Sequence, residues 1–173
     1  MKNNTQQNGP DAGLPLPDDL KYMDLALREA QRAADDGEVP TGCVIVHAQP
    51  DARPRVIARA HNQVETLRDP TAHAEMIAIT QAAATLGDWR LTHTVLYVTK
   101  EPCAMCAGAI VLARIPRLVF GVPDTKRGGA VSVFNIVNHP DLIHRCEVTS
   151  GIKANESLYM LQSFFQARRK KER

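Results

Sequence analysis

The sequence lacks any long apolar run: the longest, Met105 to Ala113, is nine residues, against the roughly 20 that a membrane-crossing helix needs. Its first residues are polar where a signal peptide would be greasy, which excludes membrane and secreted classes. Cysteine is also sparse. Cys103 and Cys106 form a close pair, while Cys43 and Cys146 stand far from them in sequence. This is not the even, dense framework of a small secreted protein, so the expectation is a reducing, cytoplasmic compartment. Aromatics make up only 5% of the 173 residues, and strong net charge is absent at +2. With 44% apolar and 23% charged residues, the chain has the composition of one ordinary soluble domain. At this length folding buries roughly two-thirds of the unfolded surface, so a core forms without disulfides and the cysteines need another explanation.

The near-neutral balance hides an uneven distribution. Arg168, Arg169, Lys170, Lys171 and Arg173 crowd the last six residues beside a single acid, Glu172, and the chain before them carries 16 basic and 18 acidic residues. A mildly acidic body with a basic end suits an anionic partner such as nucleic acid, although cations also favour the last turn of any helix.

Residues 1–17, rich in Asn, Gln, Gly and Pro, read as a disordered segment; residues 18–173 read as the folded domain. Asp18 or Asp19 is placed to cap a helix whose stripe Leu20, Met23, Leu27, Ala30 and Ala34 ends at Gly37. Cys43–Val46 and Arg55–Ala60 read as a strand hairpin. Asp69-Pro70 looks like a helix start, with Gly87 as the stop. Val95–Val98 is a strand, about Cys103–Arg114 a helix, Leu118–Phe120 a strand and Gly121–His139 a loop. Arg145–Thr149 reads as a further strand, and a last helix runs from about Asn155 with Leu158, Leu161 and Phe165 on one face. Helices alternating with short strands predict a three-layer α/β domain.

Two of the expected helix starts carry chemistry: His73-Ala74-Glu75 and Pro102-Cys103-Ala104-Met105-Cys106. Cysteines at i and i+3 share one face of a helical turn, and a helix N-terminus favours thiolates. With His73 they make three ligands for zinc, leaving the fourth tetrahedral position to water, as in catalytic sites. Glu75, two residues from the ligand, is then placed to take a proton from that water. Closure by Cys43 or Cys146 into a structural Cys₃His site is the competing arrangement, and it leaves Glu75 without a task.

Together these residues match the H-x-E and P-C-x-x-C signature of zinc deaminases. The chain resembles the bacterial tRNA-specific adenosine deaminases of the cytidine-deaminase-like superfamily over about Leu20 to Arg169. The resemblance includes Glu38-Val39-Pro40, the block Asp69 to Glu75, Leu96-Tyr97-Val98-Thr99, Phe120-Gly121, His139-Pro140, His144-Arg145 and Phe164-Phe165. It implies a central mixed sheet of five strands between helices, a homodimer, and conversion of the wobble adenosine of a tRNA anticodon to inosine. It also implies zinc held by His73, Cys103 and Cys106, proton transfer by Glu75, and a base held by Asn62 in a pocket lined by Val39 and Pro40. Asp124 matches a residue that meets the neighbouring nucleotide, and Phe164, Arg168 and Arg169 fall in the C-terminal helix expected near RNA. Lys100 stands where the family commonly has an apolar residue, Gln166 replaces a basic one, and the first hairpin loop is longer than usual.

Three other functions share parts of this pattern. A guanine or other free-nucleobase deaminase shares the Asp69 to Glu75 block but has no use for a basic tail. A non-catalytic zinc-stabilised RNA-binding module needs the metal without Glu75, and a redox pair at Cys103 and Cys106 needs no zinc.

Overall fold

A computed structural model describes residues 17–50 and 52–171. The N-terminal segment expected to be disordered lies outside the described residues except for Pro17, as does Arg173 of the basic tail. Chain order is α1 (Pro17–Asp35), β1 (Gly42–His47), β2 (Arg55–His61), α2 (Val64–Leu67), α3 (Ala74–Leu86), β3 (Thr94–Lys100), α4 (Ala104–Leu112), β4 (Arg117–Val122), β5 (Glu147–Ser150) and α5 (Ala154–Lys171). The strands form one mixed sheet in the order β2-β1-β3-β4-β5. β1 is antiparallel to β2 and β3, whereas β3, β4 and β5 run parallel. A parallel pair needs a crossover, and α4 supplies the one between β3 and β4.

β1 is buried on both faces, which explains its continuous apolar run. Because side chains alternate along a strand, Cys43 and Ile45 enter a core with Ala78 and Ala82 of α3 and Ile110 of α4. Val44 and Val46 enter the opposite core with Tyr22, Met23 and Ala26 of α1. The result is the expected three-layer sandwich. The layers approach closely at Gly42, where a Cβ would lie 2.0 Å from the Ala26 carbonyl oxygen. Only a glycine opposite the small residues Ala26 and Ala30 permits that contact.

The buried face of α1 is turned relative to the expected stripe. Leu20 is 51% exposed, while Asp19 is fully buried. Asp19 is therefore no helix cap: it accepts two hydrogen bonds of 2.8 Å from the Arg117 guanidinium and one of 2.9 Å from the Tyr97 hydroxyl. A buried carboxylate is tolerable when paired in this bidentate way. The helix ends at Asp35, and Gly37, at φ 79°, takes the left-handed conformation that lets Glu38 N–H return to the Ala33 carbonyl at 2.8 Å.

The expected helix start at Asp69-Pro70 is a turn. The Asp69 carboxylate accepts the backbone N–H and the hydroxyl of Thr71 at 2.8 and 2.7 Å, and α3 begins four residues later, after His73. At the sheet edge formed by β2, side chains of α3 occupy backbone groups. Gln81 Oε1 accepts the Arg59 N–H, and the Thr85 hydroxyl donates to the Ile57 carbonyl, both at 3.2 Å. The other edge, β5, is only four residues long.

Candidate active site

Both chemistry-bearing segments occupy the junction between a preceding loop or strand and a helix. His73 and Cys103 sit in the cap positions of α3 and α4 with extended backbone, and neither side chain makes a capping hydrogen bond. Their side chains are thus free to face one another, with Cys106 one turn into α4. His73 Nδ1 lies 3.6 Å from Cys103 Sγ and 3.5 Å from Cys106 Sγ, and the two sulfurs are 3.7 Å apart. Tetrahedral bonds of about 2.3 Å to sulfur and 2.0–2.1 Å to nitrogen set donors roughly 3.6–3.8 Å apart, so this donor set fits zinc. Among the described residues it is the group of His, Cys, Asp and Glu able to hold a metal ion. Cys43 and Cys146, the alternative fourth ligands, are not in it; both are buried, and burial pushes both thiols up, Cys146 to about 12.

The two site thiols are unequal. Hydrogen bonding with Cys106 holds Cys103 down at about 3, against opposition from burial and with help from His73. Hydrogen bonding to Cys103 and burial push Cys106 up in turn, and the bond to Cys103 raises His73.

Glu75, at the second position of α3, is 3% exposed. Burial raises its carboxyl above the usual carboxylate range, and its Oε2 is buried with no hydrogen-bond partner. An unpartnered buried carboxylate oxygen beside three ligands is disfavoured for stability and suited to exchanging a proton.

A cavity of about 230 Å³ opens onto these groups, with His73, Glu75 and Cys103 in its wall. This is below the roughly 300–1,000 Å³ of sites for drug-sized ligands, and matches a planar group the size of one base. Val39, Asn62 and Asp124 line it. Pro40 does not: it is buried behind the wall, where it shapes the chain from Val39 into β1. The C-terminal helix meets the rim where Arg168 Nη2 lies 3.4 Å from Oε1 of Glu65, a wall residue. Phe164, half-buried against Phe165, and exposed Arg169 do not line the cavity.

Glu38, Lys100 and Glu101 are among the acidic or basic wall residues that carry no role in the sequence reading. Glu38 lies under Asn62. Lys100 pairs with Asp124, which places the departure from the family pattern in direct contact with a matching position. Glu101 accepts hydrogen bonds of 2.8 Å from the backbone N–H of Asp124, Val131 and Ser132 and another from the Ser132 hydroxyl, clasping the loop 124–132 over the site. A Cβ at Gly128 would lie 2.4 Å from that carboxylate. The visible signal for each was adjacency: Glu38 precedes Val39, and Lys100-Glu101 precede Pro102.

The cytidine and deoxycytidylate deaminase zinc-binding region matches residues 16–122. A tRNA-specific adenosine deaminase of Bacillus subtilis strain 168 is 44% identical over 158 residues, covering 91% of this chain and 95% of the relative. One from Aquifex aeolicus is 46% identical over 145 residues, covering 84% and 92%. A solved structure from work on A-to-I editing by tRNA:A34 deaminases at the wobble position superposes with a TM-score of 0.75 at 45% identity, over 82% of this chain and 99% of that one. A guanine deaminase from Bacillus subtilis superposes less well, with a TM-score of 0.54 at 35% identity over 66% and 69%.

Proposed function

The chain belongs to the cytidine and deoxycytidylate deaminase zinc-binding family, and from that premise we propose that it hydrolyses the wobble adenosine of a tRNA anticodon to inosine. The observation that carries this reading is the near-full-length identity, at 44% and 46%, to tRNA-specific adenosine deaminases. The Bacillus subtilis guanine deaminase is 35% identical over 66% of this chain, short of the 45% over 82% for the tRNA:A34 deaminase structure, and the Nitrosomonas europaea guanine deaminase, at 23% identity, shares the fold alone, so the free-base alternative is the weaker reading.

The protein is a zinc-dependent hydrolytic deaminase, and His73, Cys103 and Cys106 are the residues whose donors suit the ion. Zinc bound there supplies Lewis-acid activation of a water molecule. Glu75 Oε2 takes a proton from the attacking water and returns protons to the ring nitrogen beside the reacting carbon and to the departing amine. The C–N bond breaks as a C–O bond forms, and ammonia leaves. Burial keeps the Glu75 carboxyl raised, bringing its affinity for a proton closer to what a neutral-pH acid–base needs. Asn62 and Val39 hold the base, and Asp124, tethered by Lys100, meets the adjoining nucleotide. An adenine reaches so small a cavity only when splayed from its stack, which a single-stranded anticodon loop allows at least expense.

Phe164, Arg168 and Arg169, with the basic residues that follow, border the RNA path. The tRNA partner agrees with a basic end on an otherwise mildly acidic chain. Residues 18–173 form the deaminase domain. The working assembly is a homodimer, a reading supported by the exposed apolar side chains Val131, Val133, Phe134, Leu142 and Ile143 on the end of the clasped loop and the segment after it. The compartment is the cytoplasm, where tRNA is processed. Among the described residues no helix is long and apolar enough to cross a membrane.

The test is incubation of the zinc-loaded protein with an anticodon stem-loop carrying adenosine at the wobble position. Inosine is expected there, with no ammonia from free guanine, cytosine or cytidine. Rapid ammonia release from guanine without inosine in RNA transfers the chain to the free-base reading.

A further inference from the structure

Glu38 is 1% exposed, lies just beyond α1, and lines the cavity without touching the metal-ligand group. Both carboxylate oxygens are engaged from one side of the cavity. Oε2 accepts a hydrogen bond of 3.2 Å from Asn62 Nδ2, and Oε1 accepts one of 2.8 Å from the Thr66 backbone N–H. Asn62 is itself 7% exposed, and its own backbone N–H is tied to the Thr41 carbonyl at 3.0 Å. With main chain and side chain both tethered, the amide has little freedom to turn.

The chemistry of the pair sets which way the amide faces. A carboxylate only accepts, so only the NH₂ end of Asn62 can lie against it. One N–H is consumed there, and the second N–H and the carbonyl oxygen remain to meet an occupant of the cavity. The Thr66 bond does related work on the backbone: it fastens α2, whose residues Val64 and Glu65 form the adjoining wall. One buried carboxylate thereby sets the polarity of the base-facing amide and the position of the wall beside it.

Resting on the functional reading above, we infer that Glu38 is a positioning residue for deamination, which fixes Asn62 in a single orientation and so specifies the hydrogen-bonding face the enzyme offers to the purine. Glu38→Gln separates the two tasks. Its carbonyl oxygen still accepts the Thr66 N–H, but its NH₂ now faces Asn62 and favours the inverted amide, with the carbonyl turned away from the base. Misorientation at a base-holding group acts on the geometry of reaction, and displacements of about 1 Å are worth up to roughly 100-fold in rate.

The experiment is a double-mutant cycle on the full, zinc-loaded chain with Glu38→Gln, Asn62→Ala and both together, measuring kcat and KM on the anticodon stem-loop. Zinc content and Tm are measured alongside. Glu38→Gln is expected to lower kcat/KM by about 10- to 100-fold with zinc bound and fold retained, and to add no further loss once Asn62 is Ala. Parental kcat/KM in Glu38→Gln, or losses that multiply in the double variant, overturn the inference. If Glu38→Gln does not fold, Glu38→Asp, which keeps the acceptors and shortens their reach, takes its place with the same expectation. The second readout is independent of turnover: the side-chain NH₂ resonances of Asn62, identified by their loss in Asn62→Ala, should exchange slowly in the parent and be shifted and faster in the Glu38 variant. Exchange at the rate of a free amide in the parent overturns the proposal. A parent that makes no inosine defeats the functional reading, and the NMR arm still decides the role of Glu38.

Discussion

Glu75 and the cysteines occupy the same few ångströms, yet their removal should have opposite signatures. Glu75 Oε2 is buried without a hydrogen-bond partner and Glu75 is not one of the three donors grouped for the metal, so Glu75→Gln should keep zinc and Tm while turnover falls by roughly 10²–10⁴, the usual worth of general acid–base work. Cys106→Ser should lose zinc, measured by metal analysis, and with it a tie between the starts of α3 and α4, so Tm falls too. The metal group was legible in the sequence because its spacing repeats a local rule: i and i+3 on one turn, and His with Glu two residues on. Glu38, Lys100 and Glu101 were not legible, because their partners lie 23 or more residues away and no local period reports such pairings. Pro40, which the resemblance set beside Val39 in the pocket wall, is buried and lies outside the cavity lining.

At the level of elements, strands were read to within two or three residues because a period of two with β-branched residues is a strong local pattern. Helix faces and starts fared less well. The α1 stripe was misassigned because a buried acid, Asp19, lies on the face where hydrophobicity alone seeks a leucine. The four-residue α2 has too few residues to show a period. Asp69-Pro70 carries the residues of a helix start but uses them in an Asx turn. The Asp19–Arg117–Tyr97 triad links α1 to β4 and β3, and Asp19→Ala removes the buried carboxylate from the guanidinium, leaving it the Thr149 hydroxyl and the half-exposed Glu147 carboxylate. A loss of about 3–5 kcal/mol is expected in chemical denaturation. The loop 124–132 depends on Glu101 and Asp124. Burial raises both carboxyls, but hydrogen bonds from Ser132, Asp124 and Val131 to Glu101, and from Lys100, Lys126 and Arg127 to Asp124, outweigh it and hold both below their ordinary values of 4.5 and 3.8. A lowered folded value stabilises at pH above the ordinary one and is lost as pH falls through the folded one. Hydrogen-exchange protection of the Val131 and Ser132 amides should therefore be constant near neutrality and decline in acid below about pH 4, while Glu101→Gln should show reduced protection already at pH 7.

Across the whole molecule, charge is segregated: the basic run at the end of α5 projects from a body with a slight excess of acid. If that run meets phosphates, tRNA affinity should fall with salt at a slope of roughly 0.7 per contact on single-stranded RNA. Truncation after Ala167 should flatten the slope by roughly 1.5–2 units with zinc content unchanged, as read from affinities at several salt concentrations. An unchanged slope assigns the run to helix-dipole compensation alone. The covering of the β2 edge by Gln81 and Thr85 bears on a different property, the company the protein keeps at high concentration. An uncovered edge strand is a template on which another chain can add a strand, and oligomers then grow without limit. Here one donor and one acceptor of that template are occupied from within by α3, and the opposite edge is too short to serve as a template of its own. Replacing both residues, as Gln81→Leu with Thr85→Val, should therefore leave the active site intact and raise the rate of sheet-like aggregation, visible as thioflavin-positive assemblies that the parent does not form under the same conditions.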